Sequence, residues 1–175
     1  MASFQRRLMG AVRLSADTYE DVEHDATATP QAALVVVVAS MTTSVAWYFG
    51  IGSSWLIVQG ALQALAGWLA GSAVLWFIGT RILPGKDTEA TLGQLLRTVG
   101  FAQAPGVFGL LVIVPVVGLF VPFLVGCWVI AATFVAVRQA LDYDDTFRAI
   151  LVCLLGWLVA VAVVYLTGIG ATQVH

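Results

Sequence analysis

The sequence predicts an all-α membrane protein: a five-transmembrane-helix bundle with a short amphipathic amino-terminal helix, its N-terminus cytoplasmic. Three observations predict this. Of the 175 residues, 60% are hydrophobic and only 10% charged, with a mean hydropathy of +0.94, whereas an ordinary soluble domain carries roughly 25% charged residues. Four or five apolar stretches approach or exceed the roughly 20 residues that cross a hydrocarbon core of about 30 Å. The charged residues gather in three segments between those stretches.

Residues Ser3 to Leu14 place Phe4, Leu8, Ala11 and Val12 at helical spacing, with Arg6, Arg7 and Arg13 largely off that face. Such a helix suits the headgroup level, lying on the membrane without crossing it. No apolar core of signal-peptide length precedes the acids, so no leader is expected to be removed. The acidic run Asp17 to Asp25 reads as a solvated face. Thr29-Pro30 is placed where it can cap the next helix, dividing an expected cytoplasmic or interfacial segment, 1–30, from a five-span domain, 31–175.

Span one is read from about Gln31 to Gly50 and span two from about Trp55 to Ile82. The Ile-Gly-Ser-Ser between them permits only a tight hairpin, which makes the two helices antiparallel neighbours. After the polar stretch Arg81 to Thr91, the residues Leu92, Leu95, Leu96, Val99 and Phe101 form an apolar stripe. That stripe is read as running along the interface and entering the bilayer near Ala104-Pro105, with span three after the proline. From Gly106 to Val137 the chain is apolar for 32 residues, broken by Pro115, Gly118 and Pro122. Two short spans joined by a turn fit this run; a single long kinked helix would leave four crossings and return the carboxyl terminus to the cytoplasm.

Charge placement separates the two. The eight basic residues are Arg6, Arg7 and Arg13; Arg81, Lys86 and Arg97; and Arg138 and Arg148. All ten acids share the same three segments. Five spans put every charged segment on one side, which the positive-inside rule makes the cytoplasm. Trp47, Tyr48, Trp55 and Tyr165 then fall at the opposite interface, where amphipathic rings are favoured.

Little in the chain suits catalysis. His24 and His175 lie outside the spans, so no buried imidazole is offered to a haem or metal, and no cofactor is expected. Cys127 and Cys153 sit in apolar runs, where a thiol behaves as a small hydrophobe. No Asp, Glu, Lys or Arg stands confidently within a span, which weighs against coupled transport. Nucleic-acid binding is not expected from a net charge of −2 without a basic stripe.

Polar and small residues offer packing instead. Ser40, Thr42, Thr43, Ser44 and Gln103 are polar exceptions, as are Gln59 and Gln63, one turn apart on span two. Gly60, Ala64, Gly67 and Gly71, the last two a GxxxG, make a groove of small residues for another backbone, within this chain or in a partner. Arg138, Asp142, Asp144, Asp145 and Arg148 form either a hydrated connection or a partner surface, with Asp144 or Asp145 placed to cap the following helix.

The segments Tyr19-Glu-Asp-Val-Glu-His-Asp25 before Gln31-Ala32, Gln94-Leu-Leu-Arg-Thr-Val-Gly-Phe-Ala-Gln-Ala-Pro105, and Ala136-Val-Arg-Gln-Ala-Leu-Asp142 before Arg148-Ala149 carry a resemblance. With them the chain resembles bacterial members of the Yip1 domain family over nearly its whole length. The resemblance implies five helical spans with a cytoplasmic amino terminus, in the bacterial plasma (inner) membrane, and none of these segments is a catalytic signature. Eukaryotic relatives act in early secretory traffic and bind small GTPases, a role not carried over to a tail of about 30 residues in a bacterium. The expected function is non-enzymatic: a scaffold or accessory subunit of a larger membrane complex, whose partners are membrane lipids and other membrane proteins. The alternative is a small transporter, channel or lipid-moving protein using Gln59, Gln63 and the proline-broken region.

Overall fold

The computed structural model describes residues 3–51, 55–86 and 88–167, with side chains at all of these except 43–51, 56 and 163–167. Among the described residues seven α-helices run α1 (Phe4–Val12), α2 (Ala16–His24), α3 (Thr29–Ile51), α4 (Trp55–Phe77), α5 (Leu92–Phe101), α6 (Val121–Ala140) and α7 (Thr146–Thr167), and no strand occurs. Ile57–Ile82, Leu92–Ile113 and Val121–Ala140 are each long and apolar enough to cross a membrane; Ala26–Thr42 and Thr146–Ala162 are shorter apolar helices. Residues 52–54, where the tight hairpin was expected, and the side chains of Thr43, Ser44, Trp47, Tyr48 and Tyr165 lie outside what is described, as does His175. Trp55 is exposed.

Span three differs from its expected course. The stretch long and apolar enough to cross a membrane begins at Leu92, ahead of Pro105, and takes in Arg97. The Thr91 hydroxyl and the Gln94 side chain form a capping box that starts α5, satisfying backbone donors that a helix start leaves unpaired. Leu95, Thr98, Val99, Gly100 and Phe101 are buried and Leu96 is half-buried, so most of the apolar stripe packs on α2, α3, α4 and α6, while Leu92 at its start is exposed. Gly100 lets α3 come close: a Cβ there would stand 2.7 Å from the Ala32 Cβ. Beyond Ala102 the chain tightens into a 3₁₀ segment, Ala104–Ile113, with Pro105 in its first turn, where a residue without an N–H costs no ladder hydrogen bond.

The long apolar run is two elements lying against each other. The 3₁₀ segment packs on α6, and Phe108 stacks on Trp128 with ring centroids 5.4 Å apart and planes 7° from parallel. A single kinked helix could not make that contact. The reversal uses Val116 at φ 67° and ψ −55°, the centre of a γ-turn closed by the Val117 N–H donating to the Pro115 carbonyl at 2.8 Å, a conformation that strains a β-branched residue. Gly118 follows, where a Cβ would sit 2.1 Å from the Val112 carbonyl oxygen.

The amino-terminal helices pack against the rest of the bundle. α1 is covered on one face by protein: Arg7 and Ala11 are buried, Phe4 meets Phe101 edge-on at 6.3 Å, and Trp128 Nε1 donates to the Val12 carbonyl at 2.9 Å. The acidic run is helix α2 and is not wholly solvated, since Tyr19, Val22 and Glu23 are buried. Their period of three to four residues turns one face of α2 onto α5 and α6.

At the far end of α4 the helix widens into a π-turn, Ile78–Ile82, which loosens the carbonyl ladder. The Tyr143 hydroxyl closes it, 2.9 Å from the Gly79 carbonyl and 2.6 Å from that of Leu83. Burial pushes this phenol up to about 12, so it stays protonated and donating at neutral pH. Tyr143→Phe is expected to cost about 1–3 kcal/mol by leaving buried carbonyls without a partner, read as a lower thermal unfolding midpoint in detergent.

Candidate functional site

The three charged segments meet at one end of the bundle. Thr88 Oγ1 donates to the Leu141 carbonyl at 2.8 Å, Arg148 Nη1 donates to that of Pro84, and Gln139 Nε2 donates to Glu20 at 3.1 Å. The α4–α5 connection, the α6–α7 connection and the amino-terminal helices are thus joined directly.

Arg7 is the anchor of α1. Its guanidinium is 2% exposed and reaches Asp21 at 2.7 Å through Nε and Asp25 at 2.6 Å through Nη2, with Gln31 accepting from Nη1 at 3.4 Å. Asp21 and Asp25 are four residues apart at the carboxyl end of α2 and so converge on one donor. The Asp25 carboxyl is held down at about 2, first by hydrogen bonds from Thr27 and then by Arg7. These two are the only ion pairs among the described residues.

Glu23 joins α2 to the membrane helices. Gln94 Nε2 donates to its Oε1 at 2.7 Å, while Arg97 Nε donates to the carbonyls of Val22 and Glu23 at 3.1 Å each and its Nη2 donates to the Glu23 carbonyl as well. The unpaired carbonyls that end α2 are therefore capped by a cation. Burial pushes the Glu23 carboxyl up to about 7, and the charge of Asp142 adds to the rise. Because the docked form holds a proton from the ordinary 4.5 up to about 7, docking is strongest below that window and weakens as pH rises through it. Asp25 has the opposite sign, acting only as pH falls from 3.8 toward about 2. Hydrogen-exchange protection of α2 relative to α4 is expected to fall between about pH 4.5 and 7, and Glu23→Gln to flatten that dependence.

The predicted partner surface divides in two. Arg138 Nε is committed to the Tyr143 carbonyl at 3.2 Å, and Asp145 Oδ1 accepts from the Phe147 N–H at 2.9 Å, capping α7 as its position suggested. Asp142 and Asp144 are exposed, and Asp142 stands at φ 50°. Together with Lys86 and Arg148 they border a pocket of about 210 Å³.

Among the helix-packing residues, Gly60 and Ala64 are half-buried. A Cβ at Gly67 or Gly71 would meet nothing within 4 Å. Gln59 is half-buried and Gln63 exposed. Cys127 is exposed and Cys153 buried, both as free thiols, and the described residues contain no cluster of metal-binding side chains.

Reading residue types alone missed the cluster itself. Arg7 stood only as a charge off the apolar face of the first helix, and Glu23, Gln94, Arg97 and Gln139 stood in three separate segments. The i, i+4 spacing of Asp21 and Asp25 was the one local signal that a cation sits opposite.

The Yip1 domain model matches residues 10–167. No curated protein and no solved structure matches the chain. All three segments that build the Glu23 cluster fall inside the matched range, and the chain belongs to the Yip1 domain family.

Proposed function

We propose that the chain is a non-enzymatic protein of the bacterial plasma (inner) membrane, with five spans and a cytoplasmic amino terminus. It acts as a scaffold or accessory subunit through protein and lipid contacts at its charged end. The observation that carries this reading is the convergence of all three charged segments on one end, tied there by the bonds from Gln94 to Glu23, Gln139 to Glu20, Thr88 to Leu141 and Arg148 to Pro84. Such placement fits the positive-inside rule with five crossings. It also holds the amino-terminal helices as a shaped surface for a partner, not as a loose tail.

The test is gentle solubilisation of native membranes, affinity capture of the chain, and mass spectrometry of what is retained in stoichiometric amount. The expected result is a reproducible membrane-protein partner that is lost when Arg7→Ala undocks α1. Recovery of the chain with lipid alone, and no membrane complex altered by its deletion, would overturn the scaffold reading.

A further inference from the structure

We propose that the pocket between the α4–α5 and α6–α7 connections holds the phosphoethanolamine headgroup of a membrane phospholipid; the inference rests on the reading of this end as a lipid-contacting face. Lys86 and Arg148 bring positive charge to the pocket, and Asp142, Asp144 and Asp145 bring negative charge. None of them forms an ion pair with another.

Two have structural duties that fix them in place. Arg148 Nη1 is tethered to the Pro84 carbonyl, which leaves its other N–H groups uncommitted, and Asp145 caps α7. The pocket floor is equally fixed, since Tyr143 is 4% exposed and its hydroxyl is bound to the π-turn. Lys86, Asp142 and Asp144 have side chains with no hydrogen-bond partner among the described residues. Uncommitted charges of both signs around one cavity match a ligand that carries both signs.

A phosphodiester suits the bidentate fork of Arg148 and the Lys86 ammonium. A primary ammonium, with three N–H donors, suits the carboxylates. A quaternary ammonium has no N–H to give them, and an anionic glycerol headgroup would meet three carboxylates with no cation of its own. A membrane lipid is favoured over a soluble phosphoethanolamine because Ile82, Phe147 and Ile150, within three positions of the pocket residues in sequence, are 55%, 63% and 40% exposed. Acyl chains have apolar surface to cover there.

The purified chain in detergent is offered equal amounts of phosphatidylethanolamine, phosphatidylglycerol and phosphatidylcholine of identical acyl chains, and retained lipid is counted by native mass spectrometry. Phosphatidylethanolamine is expected to be retained about tenfold over the other two, and Lys86→Gln and Asp144→Asn each to lower its retention about tenfold. Both positions are exposed and unpartnered, so helix content should not change, and Glu89→Gln, outside the pocket, should retain lipid as the native chain does. Equal retention of the glycerol or choline lipid would overturn the assignment, as would native-like retention by both variants. Displacement by glycerophosphoethanolamine at matching concentration would assign the pocket to a soluble ligand and overturn the lipid source. None of these outcomes alters the capture experiment, whose failure would in turn leave lipid selectivity unmoved.

Discussion

Arg7→Ala is expected to destabilise the docked amino-terminal segment by about 3 kcal/mol, near the low end for breaking a buried ion pair. The guanidinium is 2% exposed, while its partners are 40% and 12% exposed. The variant therefore leaves two carboxylates that water can partly reach, which keeps the cost below that of a fully buried orphan charge. It also removes a side chain that fills space beside Gln31. The effect should be local: α1 and α2 lose hydrogen-exchange protection and become open to protease near Arg13, while α4 and α6 exchange as before. Arg7→Lys should recover only part of the loss, because a point charge cannot hold Asp21 and Asp25 with separate N–H groups in one plane.

Gly118→Ala is the second large effect. A methyl group there would lie 2.1 Å from the Val112 carbonyl oxygen. The obstacle is backbone, so no rotamer change relieves it, and a loss of about 3 kcal/mol is expected. The reversal between span three and α6 is already strained at Val116 and has little freedom to shift. Gly126→Ala, on α6 with nothing within 4 Å of the added carbon, should be neutral or stabilising by up to about 1 kcal/mol. Thermal unfolding of the two variants in one detergent compares them, and equal midpoints would show that the turn is not built as described.

The apolar helices were legible because lipid leaves a coarse signal: apolar length, with charges excluded. Pro115 and Gly118 marked the reversal for the same reason, since neither continues an α-helix cheaply. The start of span three was not legible. Leu92 to Phe101 has the apolar stripe of an interfacial helix, and whether such a stripe meets lipid or α2 depends on contacts distant in sequence. Arg7 was hidden by the same limit. An arginine among acids reads as solvated, and only tertiary packing brings Asp21 and Asp25 around it. Glu23, Gln94 and Gln139 came into view only as parts of segments that resembled a family, because a polar side chain in isolation carries no mark of its partner.

Cysteine accessibility in intact cells tests most directly the claim that the charged end is a single cytoplasmic face. In a Cys127→Ala, Cys153→Ala background, single Glu89→Cys, Asp144→Cys and Val116→Cys variants are treated with a membrane-impermeant maleimide before and after the cells are opened. The five-span account predicts that Val116→Cys is labelled in intact cells, and that Glu89→Cys and Asp144→Cys are labelled only after opening. Labelling of Asp144→Cys in intact cells would put the α6–α7 connection outside and contradict it.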